Sequence, residues 1–265
     1  MDTIALRDSL PIALIDSQPI NIATQSELLD KIMKRVKTGF GFTLFTLNLD
    51  HLVKRRDDAS FRDAYRRATF VTADGAPVVA LARRQGAKLE RTTGADLLLP
   101  LCAAAERDGV PVYFFGSSDE ALAKASVKLR KMFPALDIRG LVSPPMGFDP
   151  ASTRADRYGE RIRLSGAKLC FVLLGAPKQE LFADRMMQRC PGVGFLCVGA
   201  ALDFIAGDQK RAPALMQKTG LEWAWRLATN PRRLLVRYAK CAALLADLAL
   251  LRPRVPHAAS IGPRS

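Results

Sequence analysis

The chain has 265 residues, 49% of them apolar and 25% charged, enough to bury a sizeable core in one large domain or two small ones. Its 40 Lys and Arg against 26 Asp and Glu leave a net charge of +14, which points to an anionic partner: nucleic acid, a nucleotide, a lipid phosphate or an anionic membrane face. The five cysteines include no C-x-x-C pair, which argues against structural zinc or a disulfide framework and for buried free thiols in a reducing compartment. No stretch reaches the roughly 18 uncharged apolar residues of a membrane span, and the N-terminus lacks a basic segment leading into a long apolar run, so no signal peptide is expected.

Taken in chain order, short apolar runs alternate with segments of helical spacing. GFTLFTL (41–47), ATFVT (68–72), VPVYFF (110–115), DIRGLV (137–142), AKLCFVLLG (167–175) and VGFLCVG (193–199) read as strands. Most are nearly continuous in apolar character, as in strands covered on both faces. Between them, SELLDKIMKRV, DASFRDAYRRA, GADLLLPLCAAAE, SDEALAKASVKLRKMF and KQELFADRMMQR read as helices, and SPPMGFDPAS (143–152) as a loop. The alternation predicts an α/β fold, a Rossmann-like parallel sheet with helices on both faces and right-handed crossovers. There is no internal repeat. After about residue 208 the character changes. Residues 209–240 carry eight Lys or Arg, one acid (Glu222) and both tryptophans, Trp223 and Trp225, and lead into the apolar CAALLADLALL. The expected division is therefore a domain over 1–208, a basic amphipathic helical appendage over 209–251 and a disordered tail over 252–265.

Ligands of open α/β sheets bind beyond the carboxyl ends of the strands, and three polar clusters fall there. Thr46-Leu47-Asn48 closes the first strand. Thr72-Ala73-Asp74-Gly75 closes the second, with Gly75 suited to a tight turn and close backbone approach. Gly175-Ala176-Pro177-Lys178-Gln179-Glu180 closes the fifth and opens a helix. Asp74 alone would read as a helix cap; in the company of two other polar strand ends it reads as a general base for an attacking hydroxyl. GAPKQE resembles an anion-binding helix start, with Lys178 beside exposed backbone N–H groups; an ordinary solvated first turn is the alternative. Gly199-Ala200-Ala201-Leu202-Asp203 repeats the pattern of strand end, small residues and acid, with Asp203 as a ligand contact, a helix cap or a partner of Arg211. Walker, G-x-G-x-x-G, G-x-S-x-G and D-x-D motifs are absent, and neither His51 nor His257 sits in a ligand-spaced pair, so neither a dinucleotide cofactor nor a histidine metal site is expected. The basic segment admits three uses: stacking and phosphate contacts on nucleic acid, docking on an anionic membrane, or a lid whose arginines reach a diphosphate.

Read in order, the stretches FTLNLDHLVKRRDDASFRDAYRRATFVTADGAPVVALARRQG, GADLL, VYFFGSSDEALAKASVKLRKMFPALDIRG, LLGAPKQELF, VGAALDFIAGDQKRAP and GLEWAWRLATNPRRLLVRY resemble the WecG/TagA/CpsF family of bacterial glycosyltransferases, over about residues 12–240. The resemblance implies transfer of a hexose or N-acetylhexosamine from a UDP-sugar to a polyprenyl-diphosphate-linked sugar, in teichoic acid, common-antigen, capsule or exopolysaccharide synthesis. It implies an inverting, metal-independent mechanism with no cofactor, peripheral attachment to the cytoplasmic face of the inner membrane, self-association and no nucleic-acid role. It implies Asp74 as base, Thr46, Asn48 and Gln179 at the donor or acceptor, and Arg226, Arg232, Arg233 and Arg237 at phosphate; Gly75, Lys178 and Asp203 join the donor or acceptor site on their places at the strand ends. Two departures, Asn48-Leu49-Asp50 for Asn-Ala and Gly199-Ala200-Ala201-Leu202-Asp203 for Gly-Gly-Ala-Phe-Asp, bear on which sugar is used. A non-catalytic basic module that binds nucleic acid or membrane is the alternative from another class.

Overall fold

The structure is a computed structural model that describes residues 10–209, 212–213, 215–216, 222–229 and 231–250, without the side chains of Arg226 and Arg233. Its centre is a six-stranded, wholly parallel sheet in the order β4-β3-β8-β7-β5-β6, built from β3 (Phe42–Leu47), β4 (Phe70–Ala73), β5 (Val112–Gly116), β6 (Ile138–Val142), β7 (Leu169–Leu173) and β8 (Gly194–Cys197). These are the six strands expected from the apolar runs. All but the edge strand β6 are buried along their whole length, which is why their sequences do not alternate.

Alternate residues of each strand feed two cores. Phe45, Leu47, Val71, Phe115, Val172 and Phe195 meet one helical layer, formed by α2 (Leu49–Asp57), α3 (Ala59–Arg67), α4 (Ala76–Arg83), α7 (Thr153–Leu164) and α8 (Lys178–Met187). Leu44, Phe70, Phe114, Phe171 and Leu196 meet the other, formed by α1 (Gln25–Thr38), α5 (Gly94–Arg107), α6 (Asp119–Met132) and α9 (Ala201–Ala206). Among the described residues, six helix starts are capped by side chains the sequence places there: Thr24, Asn48, Asp58, Thr93, Ser118 and Ser152 each accept from the backbone N–H three residues on.

Two features were not among the expected elements. A short antiparallel hairpin, β1 (Ala13–Ile15) and β2 (Gln18–Ile20), precedes α1. Its three-residue strands are too brief to show a period. The helices α2, α4, α7 and α9 were also not singled out: α4 and α9 are short, α4 opens with Pro77 in its first turn, and α7 buries only Ala155, Gly159 and Ile162.

Residues 222–250 hold two further helices, α10 (Glu222–Thr229) and α11 (Pro231–Leu250). Cys241 and Leu244 of α11 are buried, and Leu245 and Leu248 pack on the first core, so this helix is docked on the α2 side of the domain. Arg237 pairs with Asp50 at the start of α2, and Asp247 with Arg56 near its end, so the two helices run alongside in the same sense. The expected tail, 252–265, lies outside the described residues.

The turn after β5 shows how closely backbones approach at the carboxyl edge. Gly116 has φ +117°, and a Cβ there would lie 2.6 Å from the carbonyl carbon of Leu173 in β7. Gly116→Ala is expected to lose about 3 kcal/mol of stability, from backbone strain and the overlap together. Urea unfolding with retained slope measures it; a loss under about 0.5 kcal/mol would mean the edge relaxes freely.

Candidate active site

The carboxyl edge of the sheet collects the polar strand ends. Parallel pairing of β3 with β4 sets Thr46 opposite Thr72 and Leu47 opposite Ala73. The next residues are Asn48 and Asp74, and the Asp74 amide donates to the Leu47 carbonyl at 2.8 Å, so the two polar ends stand side by side. Asp74 is half-buried. The first residue of the following turn, Gly75, has φ +92° and is itself the N-cap of α4, so Asp74 stands one residue before the cap and two before the helix. Asn48 caps α2, its Oδ1 accepting from the His51 amide at 3.0 Å. Thr46 is buried, and its carbonyl accepts from the Tyr65 hydroxyl at 3.3 Å.

Two strands further along lies the second group. Lys178 is exposed at the first position of α8. Gln179 is buried and engaged at both ends of its amide: Oε1 accepts from the Gly199 amide (3.0 Å), and Nε2 donates to Glu180 Oε1 (2.8 Å). It thereby ties the start of α8 to the turn after β8. Asp203 accepts from the Ser117 hydroxyl (2.6 Å) and from Gln209 Nε2 (3.0 Å), which joins the turns after β8 and β5. From β4 to β7 the edge spans three strand spacings of ~4.8 Å, or about 14 Å.

The C-terminal helices lie against this edge. Arg237 Nε is 2.8 Å from Asp50 Oδ1, in the first turn of α2. Six residues separate Pro231 from Arg237, so α11 begins about 9 Å before that contact and its first turn, with Arg232, stands past the start of α2. The α10 helix packs on it through Trp223 and Tyr238, whose rings are 6.2 Å apart. Glu222 of α10 is 3.6 Å from Arg91, in the segment just before α5. That segment seals the outer end of β4, with the Thr92 amide on the Ala73 carbonyl and the Thr72 hydroxyl on the Thr92 carbonyl. The side chains of Arg226 and Arg233 lie outside the described residues.

Residues 13–257 match the sequence model of the family described as glycosyl transferase WecG/TagA/CpsF. The chain belongs to this glycosyltransferase family. The WecG/TagA/CpsF match covers nearly the whole chain and includes α10 and α11 along with the sheet domain. Several residues at its carboxyl edge were not legible as site residues. Lys54 bridges Asp50 Oδ2 (2.7 Å) and the Ala176 carbonyl (3.0 Å), so α2 grips the turn that opens α8. Arg91 and Ser117 are the others. Only the fold brings them to the edge, and none of them stands in a pattern with the motifs.

Below the edge is a buried polar cluster. His51 Nδ1 lies 2.7 Å from the Tyr65 hydroxyl and 4.0 Å from Glu180 Oε1, and Glu180 Oε2 is buried without a hydrogen-bond partner among the described residues. Burial holds His51 neutral, its pKa pushed down from 6.5 to about 3; the Asp50 carboxylate opposes the fall, and Lys54 and Arg237 add to it. Burial pushes the Glu180 carboxyl up from 4.5 to about 7. Between pH 4.5 and 7 the folded chain keeps the Glu180 proton that the unfolded chain has released, so this contribution to stability declines as pH rises. His51 acts oppositely: between pH 3 and 6.5 only the unfolded chain takes up its proton, so this contribution declines as pH falls. The two offset each other over the shared window. Glu180→Gln is expected to gain on the order of 3 kcal/mol over the parent at pH 8, and to lose about 1.4 kcal/mol per pH unit below 6.5, where the parent changes little. Urea unfolding between pH 5 and 8 reads both; parallel profiles for the two proteins would show that Glu180 does not hold the proton.

Proposed function

We propose that the chain transfers a hexose or N-acetylhexosamine from a UDP-sugar to a sugar carried on a polyprenyl diphosphate, with inversion and without a metal. The observation that carries this reading is the adjacency of Asp74 and Asn48 at the ends of β4 and β3, on the edge where α8 also opens and α11 overhangs. The acceptor hydroxyl gives its proton to the Asp74 carboxylate as its oxygen bonds to the anomeric carbon. The bond from that carbon to the donor phosphate breaks, and the electron pair leaves on UDP. Charge developing on the diphosphate is met by the N-terminus of α8, Lys178 and the arginines of α10 and α11, Arg226, Arg232, Arg233 and Arg237. Thr46, Asn48 and Gly75 shape the sugar end of the crevice. Gln179 and Asp203, both tied into the turns between β7, β8 and β5, hold its nucleotide end.

The acceptor's lipid puts the site at a membrane surface. No described helix is long and apolar enough to cross a bilayer. Trp223 (47% exposed), Leu235 (62%) and Val236 (67%) present apolar surface on α10 and α11 beside the exposed Arg232, which suits docking on an anionic leaflet.

Asp74→Asn is expected to fold and bind UDP as the parent does while losing at least about 100-fold in turnover, the usual contribution of a general base. The measurement is sugar transfer from a panel of UDP-sugars to a polyprenyl-diphosphate-linked acceptor, with and without EDTA. Near-normal turnover in the variant would remove Asp74 from the mechanism; loss of the parent's activity in EDTA would remove metal independence.

A further inference from the structure

We propose that Asp50 is a positioning residue that couples the docking of the C-terminal arm, α10 and α11, to the anion-binding turn at the start of α8. The inference rests on the donor reading above for the identity of the anion, and on geometry for the coupling. Asp50 lies in the first turn of α2 and is only 8% exposed. Its two oxygens face two different cations. Oδ1 takes Arg237 Nε from α11 at 2.8 Å, and Oδ2 takes Lys54 Nζ at 2.7 Å. Lys54 in turn donates to the Ala176 carbonyl at 3.0 Å, in the turn Gly175-Ala176-Pro177 that leads into α8. One carboxylate therefore links the arm, α2 and the α8 turn in an unbroken chain of contacts.

The charge count explains why such a junction matters at this place. Two cations against one carboxylate leave a surplus of +1 within this junction. Below pH 7 burial keeps nearby Glu180 largely uncharged, and His51 is neutral, so in that range neither offsets it. A diphosphate arriving at the α8 turn supplies the missing negative charge. Without Asp50, α11 loses one of its two ion pairs to α2 among the described residues, the one nearest the carboxyl edge, and Lys54 loses the partner that aims it at Ala176, while the half-exposed Lys54 and exposed Arg237 are left without the carboxylate between them. Arm position and anion affinity are then expected to change together.

The arm carries its own reporter, because the chain's two tryptophans, Trp223 and Trp225, are both on α10. Asp50→Asn, Asp50→Glu and Arg237→Gln in the full chain are compared by tryptophan emission, by the rate of tryptic cleavage within α11, and by calorimetric titration with UDP and with inorganic pyrophosphate. Asp50→Asn is expected to red-shift the emission, speed cleavage, and weaken both ligands by about tenfold, the usual size of such coupling. It should raise KM for the donor while changing kcat less than about threefold. Asp50→Glu, which keeps the carboxylate, should recover most of both effects and serves as the informative variant where Asp50→Asn does not fold. Arg237→Gln should loosen the arm and leave little for Asp50→Asn to add. An arm that loosens while UDP and pyrophosphate bind as before would make Asp50 a purely structural contact and overturn the coupling, as would unchanged emission and cleavage. Turnover lost in Asp74→Asn alongside either result would leave the transferase reading standing. Asp50-dependent pyrophosphate binding in a protein that turns over no UDP-sugar would support the coupling and sink that reading.

Discussion

The register of β3 against β4 is the constraint from which the carboxyl edge follows. With Thr46 opposite Thr72, the residues that continue the two strands, Asn48 and Asp74, fall side by side. The two cores hold this register from both faces. Phe45, Leu47 and Val71 face one helical layer while Leu44 and Phe70 face the other, and a slip of one residue would turn each set toward the wrong side. The outer edge of β4 is closed as well. Asn21 donates its backbone N–H to the Val71 carbonyl (3.3 Å), accepts from the Val71 amide at Oδ1 (2.8 Å) and donates from Nδ2 to the Thr69 carbonyl (2.7 Å), so one residue stands in for a missing strand. Placement of the two polar residues is therefore a product of apolar packing several residues away.

The same reasoning explains what could be read in advance. A parallel strand covered on both faces is written as a run of Phe, Leu, Val and Cys, so the six sheet strands are visible in sequence. The helices that follow them bury one side and show their spacing, except where they are as short as α9 or bury mainly polar residues, as α2 does with Asp50, His51 and Arg55. The strand-end motifs are legible because the carboxyl edge of a parallel sheet is where ligands bind, so a Thr, Asn or Asp there has a geometric reason to be noticed. Lys54, His51, Tyr65 and Arg91 have no such reason. Lys54 reaches Ala176 across 122 positions of chain, and His51 meets Tyr65 only because α2 and α3 fold onto the same strand. Gln179 was legible as a residue of the edge, but its engagement with Gly199 depends on β7 and β8 being neighbours.

The surplus of positive charge is not spread evenly in its effect. Many arginines are paired on the surface: Arg67 with Asp184, Arg163 with Glu160, Arg139 with Asp137, Arg185 and Arg189 with Asp156. Such exposed pairs contribute about 0–1 kcal/mol each and mainly cancel field. The cations at the carboxyl edge are arranged differently. Lys54 and Arg237 share one carboxylate, and Lys178, at the start of α8, and Arg232, in the first turn of α11, are exposed. A chain that balances its cations over much of its surface and leaves a surplus at one rim concentrates its attraction for anions there.

Asp74 shows how a small local concession serves that rim. A carboxylate at the start of a helix ordinarily caps it, with an oxygen on the amide two or three residues ahead. Here the N-cap of α4 is Gly75, whose φ of +92° turns the backbone before the helix begins. Glycine at that position gives up only a few tenths of a kcal/mol relative to a capping side chain. In return the helix starts one residue later, and Asp74 stays on the strand side of the turn, bonded through its own amide to the Leu47 carbonyl and level with Asn48. A side chain with a Cβ at residue 75 would be strained at this φ although the space around it is open, since the nearest atom, Pro77 Cδ, is 3.8 Å away. What the glycine preserves is therefore backbone conformation, and with it the position of the acid at the end of β4.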